Sequence, residues 1–400
     1  MQLGWIDFSK GERDKVFSVM HLLEEQGAVD ELGIGIIRDA FADYFFPGTS
    51  TVQTRAKYFL IVPYILKEAV SGEYGSEINA VLRRINNEER NCRDILLRTS
   101  NDGVIGRLVP HSWVQRTPAS IYWNGLKQLG ILTEDISMSN LIRESLLQKS
   151  LKKAKEYGNR EKDSINAQEN EEDDADAGDI TSFHFLNLGG TYKRDWRNGL
   201  RIELLPEEAV FLKSQIIRYQ RDKLIAFIVK NNISLDRYES FKAFSEDVLE
   251  SVDSDTAELI ILANDFNDLV SIITTRYNLI VSEGKNATAV KNWVNMSRNL
   301  SSKATVDLKR IYKRLDITNY KLKAFLIRAQ DLIRAGDIEQ LDQLIINREV
   351  DIKDPSRAKT KHAGKYPYNT WIGLDVLDYR FTPTKRIVRD IMDAESQNHV

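Results

Sequence analysis

The 400-residue sequence contains one cysteine, Cys92, and only five histidines. One thiol cannot form an intramolecular disulfide or a zinc ribbon, and the reducing cytoplasm is the default compartment for such a chain. His21, His111, His184, His362 and His399 include no i, i+4 pair, and H-E-x-x-H, H-x-K and C-x-x-C are all absent. A local metal or phosphodiesterase motif is therefore missing. The phosphate-cradling G-x-x-x-x-G-K-[ST] does not occur either. No apolar run approaches the ~20 residues a membrane span requires. The first ten residues carry Asp7 and no long apolar stretch, unlike a secretory leader. Nothing repeats internally. These absences leave no recognisable catalytic centre, imply no cofactor, and make an enzyme the less favoured class.

What is present is a globular composition, 42% hydrophobic and 29% charged, in a chain long enough for two or three domains. The net charge of −3 hides a segregation. Residues 161–180, EKDSINAQENEEDDADAGDI, carry −8, leaving +5 on the rest. With so few apolar residues that stretch cannot offset its ordering entropy, so it reads as a linker or loop. From Lys285 to Arg328 the balance is +9, with Trp293, Tyr312, Tyr320 and Phe325 interleaved. Just upstream, Glu246 to Asp268 is purely acidic among its charged residues. The two segments can pair with each other, or leave the basic one free for a phosphate backbone.

The periodicity is helical almost throughout, so the fold class is mainly α. Ser9 and Glu12 form a capping box. Helical patterns follow at 30–45, from within Thr49–Thr51 through Leu60 with Pro63 as a kink, and at 78–97. Thr117 and Pro118 suit the N-cap and first turn of a helix that stops at Gly130. Further helices are expected at 139–157, 204–221, 222–231, 240–251, 256–282, 307–335, 338–348 and 384–394. Strand signals are few, at 199–205 and 183–188. The expected organisation is an N-terminal helical domain over 1–157, an acidic linker over 158–180, and a mainly helical C-terminal domain over 181–400.

Two N-terminal segments carry residue types suited to nucleic acid. In PGTSTVQTRAK, Thr51, Gln53, Arg55 and Lys57 stand at or near an expected helix start, where free backbone N–H groups and basic side chains favour phosphate. The alternative is ordinary capping with a salt bridge. In VQRTPASIYWNGLKQLGIL, Arg116 and Lys127 flank a helix compatible with a helix-turn-helix-like or winged-helix unit. The alternative there is packing of Tyr122 and Trp123. In the basic stretch the candidates are Lys309, Arg310, Lys313, Arg314, Lys321 and Lys323. Cys92 reads as structural, Gly189-Gly190 as a turn, and Asp375, Asp378 and Arg380 as a buried ion-pair network rather than a hydrolytic pair.

The blocks LGWIDFS, VDELGIGIIRDAFADYFFPGTSTVQTRAKYFLIVPYIL and TPASIYWNGLKQLGI resemble an uncharacterised bacterial family of about this length. LLPEEAVFL and LDYRF with KRIVRDI are similar to its later landmarks. The family transfers no catalytic residues. The resemblance implies a neighbourhood of restriction or phage-defence genes, hence nucleic-acid work. The leading expectation is a non-catalytic, cytoplasmic accessory protein that binds nucleic acid, DNA first, together with other defence-system proteins and no membrane. A helical protein-interaction scaffold is the alternative, and a nuclease with a dispersed metal site the third reading.

Overall fold

The computed structural model describes residues 30–71, 77–100, 102–109, 113–163, 185–366 and 368–397. Its first five helices are α1 (Gly35–Phe45), α2 (Tyr58–Ser71), α3 (Ile78–Leu96), α4 (Pro118–Gln128) and α5 (Met138–Asp163). Then come α6 (Pro206–Tyr219), α7 (Leu224–Lys230), α8 (Phe241–Val248), α9 (Ser254–Val281) and α10 (Ala287–Met296). The last are α11 (Leu300–Lys303), α12 (Leu308–Arg314), α13 (Tyr320–Ala335), α14 (Ile338–Lys353) and α15 (Phe381–Ser396). No strand or sheet forms among the described residues, apart from an isolated bridge between Leu132 and Leu186. The class is multi-helical.

The strand expected at 199–205 shows why alternation alone does not make a sheet. Leu200, Ile202 and Leu204 are buried while Arg201 and Glu203 face solvent, as period two requires. No neighbouring strand is present among the described residues to complete a ladder. For the same reason no β-wing flanks α4 there. The capping box at Ser9–Glu12 and the acidic residues 164–180 lie outside the described residues.

Two units are formed, each from two stretches of chain. The first comprises residues 30–41 and 257–377, the second 42–256 and 378–397. This differs from a sequential division at 158–180, because contacts in the second unit join both sides of the acidic segment. The Trp196 indole donates to Glu68 at 2.7 Å, and Lys57 binds Glu208.

In the second unit α2 is apolar around its whole circumference, with every residue from Tyr58 to Leu66 buried, as befits a central helix. It packs on α3, α4 and α5. Pro63 is accommodated inside it. Gly125 of α4 meets α2 so closely that a Cβ would stand 2.5 Å from the Gly48 carbonyl and 2.6 Å from the Phe59 ring. A larger residue there forces the helices apart. Thr117 caps α4 by accepting from the Ser120 N–H. A cluster of Phe45, Phe46, Phe241, Phe244, Tyr379 and Phe381, with centroids 5.1–6.4 Å apart, closes the other end of the core.

The first unit is organised on α9, which buries Leu259, Ala263, Phe266, Val270, Ile273 and Tyr277 along one stripe. α13 packs on α11, α12 and α14. The fully buried Glu349 accepts from Tyr277 Oη at 2.9 Å and from the N–H groups of Lys359 and Thr360. The single helix expected over 307–335 is two helices. Asp316 takes a left-handed φ of 48°, and the Asn319 side chain then caps α13 through the Leu322 N–H. No helix among the described residues is long and apolar enough to cross a membrane.

Candidate nucleic-acid interface

The segment PGTSTVQTRAK forms turns rather than a helix start, since α2 begins only at Tyr58. Thr49 Oγ1 donates to the Phe46 carbonyl, and the buried Gln53 amide donates to the Gly48 carbonyl while accepting from the Ser50 N–H. The Tyr122 hydroxyl accepts from the N–H groups of Thr54 and Arg55 and donates to the Arg55 carbonyl. Asp390 of α15 takes the place a phosphate was expected to occupy. It accepts from Arg55 Nε at 2.9 and 3.1 Å and from the Ala56 N–H at 2.7 Å. Burial opposes the charge of Arg55, but Asp390 holds the guanidinium above its ordinary value.

Lys57 goes deeper still. Its ammonium bonds both oxygens of Glu208 at 2.8 and 2.6 Å, with both side chains 5% exposed. Burial pulls the Lys57 pKa down against the attraction of Glu208. Of this first candidate group, then, only Thr51 is exposed. Gln53, Arg55 and Lys57 carry internal structure.

Around α4, Arg116 is half-buried and Lys127 is ion-paired with Asp135 at 2.6 Å. Tyr122 is fully buried, and Trp123 is half-buried and donates to the Ile136 carbonyl. Glu89 of α3 reaches the start of this helix, accepting from the Ala119 N–H at 2.6 Å. Its second oxygen is buried without a partner, and burial pushes its pKa up to about 7. Cys92 is buried, with its thiol pushed up to about 12, the opposite of an activated nucleophile.

Asp375 and Asp378 do not form the expected buried ion-pair network. Asp375 is exposed and accepts from its neighbour Val376, whereas Asp378 accepts from the Thr382 N–H at the start of α15. Arg380 pairs separately with Asp43 and the Thr49 carbonyl. No group of three or more His, Cys, Asp or Glu stands ready to hold a metal among the described residues.

The basic stretch of the first unit behaves differently. α12 buries Leu308, Ile311 and Tyr312 and turns Lys309, Arg310, Lys313 and Arg314 outward. α13 buries Leu322, Phe325, Leu326, Ala329 and Ile333, leaving Lys321 and Arg328 on an exposed stripe seven residues apart, about 10 Å along the helix axis. Arg310 is engaged by Glu258 and Lys285 by Glu283. The half-buried Lys323 stands 5.3 Å over the Tyr312 ring. Lys291, Arg298, Lys309, Lys313, Lys321 and Arg328 are exposed and have no carboxylate partner among the described residues. Of the interleaved aromatics, Phe325 and Tyr312 are buried and Trp293 lies under Arg276, while Tyr320 is 73% exposed beside Lys321.

Together these features define a multi-helical protein with one buried and one open set of basic residues. Residues 1–168 match a family described as "Family of unknown function (DUF6361)". The match accounts for the N-terminal blocks and ends short of LLPEEAVFL and LDYRF. No curated protein and no solved structure matches the chain.

Proposed function

We propose that the first unit binds nucleic acid, duplex DNA in the first instance, through the exposed faces of α12 and α13. The observation that supports this is the set of exposed cations, Lys309, Lys313, Lys321 and Arg328 foremost, without carboxylate partners among the described residues. Unpaired surface cations bind a polyanion by releasing its condensed counterions, without reading sequence. Tyr320 adds an exposed ring at the start of α13. The role is binding rather than catalysis. Cytoplasmic location belongs to this proposal on the cysteine content, and membership of a bacterial defence or DNA-processing assembly on the sequence resemblance alone.

Fluorescence anisotropy with a labelled duplex tests it. Neutralising about six phosphates gives a log–log salt slope near −5, roughly a thousandfold loss between about 50 and 200 mM salt. Lys309→Glu combined with Lys313→Glu and Lys321→Glu lowers the affinity at least about tenfold. A wild-type chain that fails to bind at low salt ends the proposal.

The scaffold reading has one observation in its favour. Val290 and Val294, one turn apart on α10, are 41% and 49% exposed, an apolar pair that suits a partner protein. Val290→Asp with Val294→Asp would then abolish partner capture and leave duplex binding intact; unchanged capture removes this reading.

A further inference from the structure

The second unit contains a groove of about 1060 Å³ walled by α6, α7 and the start of α9 with the residues just before it. That volume lies at the upper limit for small-molecule sites and suits an extended ligand. Arg218 enters it from the last turn of α6, Arg221 from the turn that follows, and Lys230 from the end of α7. All three are exposed, and none has a carboxylate partner among the described residues.

Arg218 also stands 5.5 Å from the Tyr219 ring centroid, and several other groups of the groove are held by local contacts. Lys223 sits 3.8 Å over the Tyr44 ring, and Tyr44 Oη donates to Asp255 at 2.6 Å. Asp253 accepts from the N–H groups of Asp255 and Thr256. Arg218, Arg221, Lys223 and Lys230 face Asp222, Asp253 and Asp255 across the lining, so four cations meet three carboxylates and the groove is weakly positive. The same lining includes Ile217, Val252 and the half-buried ring of Phe227.

A basic residue near a helix C-terminus complements the carbonyl end of the dipole. That accounts for Arg218 and Lys230 singly, but not for their opening, with Arg221, onto one groove that also presents an aromatic ring. Cations along a channel with a π-face between them are the recognition chemistry of an unpaired strand, whose phosphates and free base faces are both available. A duplex offers only its phosphates to such a groove, and competition by polyglutamate separates an acidic peptide from an unpaired strand.

We propose that this groove binds single-stranded nucleic acid, with Arg218, Arg221 and Lys230 on the phosphates and Phe227 as the stacking platform. The site lies in a different unit from the duplex-binding surface proposed above and concerns a different form of nucleic acid, so either can fail alone.

The test is anisotropy of the full chain with labelled oligothymidylate of about twelve nucleotides, within the usual range for one single-strand groove. Arg221→Glu with Lys230→Glu is expected to weaken oligothymidylate at least about tenfold while duplex affinity stays within about twofold. Phe227→Leu, which keeps the apolar volume, is expected to lower it about fivefold or more through lost stacking. Lys309→Glu with Lys313→Glu is expected to leave oligothymidylate nearly unchanged. The proposal is overturned by a wild-type chain that does not bind oligothymidylate or by a double variant that binds it normally. Equal losses on both forms of nucleic acid overturn it too, as does polyglutamate displacing oligothymidylate more effectively than unlabelled oligothymidylate does.

Discussion

Two basic regions that look alike in sequence end in opposite states. Arg55 and Lys57 are drawn inside the second unit by Asp390 and Glu208. In the first unit Lys309, Lys313 and Lys321 stay outside, while Arg310 beside them pairs with Glu258. The local sequence does not distinguish them, because the deciding carboxylates lie 335 and 151 residues away. A hydrogen-bonded carboxylate in the folded core and a ligand phosphate make the same demand of a guanidinium or ammonium. A basic residue beside hydroxyls and a turn is thus as well suited to an internal anion as to an external one.

The sharpest way to break this contrast is to remove a cation from each side. Lys57→Met leaves Glu208 buried without its counterion and should cost about 3–5 kcal/mol of folding stability. Glu208 also accepts from the Leu205 N–H at the start of α6, so the damage extends into that helix. Chemical denaturation read by circular dichroism measures it. A loss below about 1 kcal/mol would mean that Lys57 is not held as a buried ion, and the distinction between the two regions would collapse.

Glu89 sharpens the same point through pH. Its folded pKa, about 7, lies above the ordinary 4.5 because of burial, so between those values the folded chain holds more protons than the unfolded chain. Stability therefore falls as pH rises through that window and levels off above it. The full difference is about 3 kcal/mol. Glu89→Gln keeps an oxygen for the Ala119 N–H and removes the ionisation, so the variant should match wild type near pH 4.5 and gain up to about that amount at pH 8. Paired denaturation curves at the two pH values decide it; a variant less stable at pH 8 than at pH 4.5, relative to wild type, would refute the assignment.

Most of the helical framework was legible, since periodicity and caps are local. Thr117 and Pro118 start α4 where the sequence says they should. What failed was non-local or conformational. The helix through 307–335 breaks because Asp316 adopts a left-handed φ and Asn319 restarts the chain, a choice periodicity does not register. Before α2 the backbone turns at 51–57 are held by partners far along the chain, Tyr122 on the Thr54 and Arg55 N–H groups and Asp390 on that of Ala56. The alternation at 200–204 reported burial correctly and pairing incorrectly, because a strand is defined by a neighbour. Of the candidate site residues, those in the basic stretch were readable as charge against sparse opposition. Arg218, Arg221 and Lys230 were overlooked because they are spread over thirteen residues on two helices and the turn between them, and only the folded groove brings them together.

The smallest expected effect is also the cleanest control on the comparison. Lys309→Ala and Lys313→Ala remove exposed side chains with no carboxylate partner among the described residues, so each should change folding stability by less than about 0.5 kcal/mol. Both positions lie within α12, where alanine is the better helix former, so any small change should favour folding. Self-repulsion within the stretch points the same way, because removing one of several neighbouring cations relieves like-charge strain. Thermal melts at low and high salt separate these contributions: the charge effect fades as salt screens it, whereas the propensity gain does not. A destabilisation above about 1 kcal/mol at either position would show that these lysines, like Lys57, hold the fold together, and the open surface on which duplex binding is proposed would not exist.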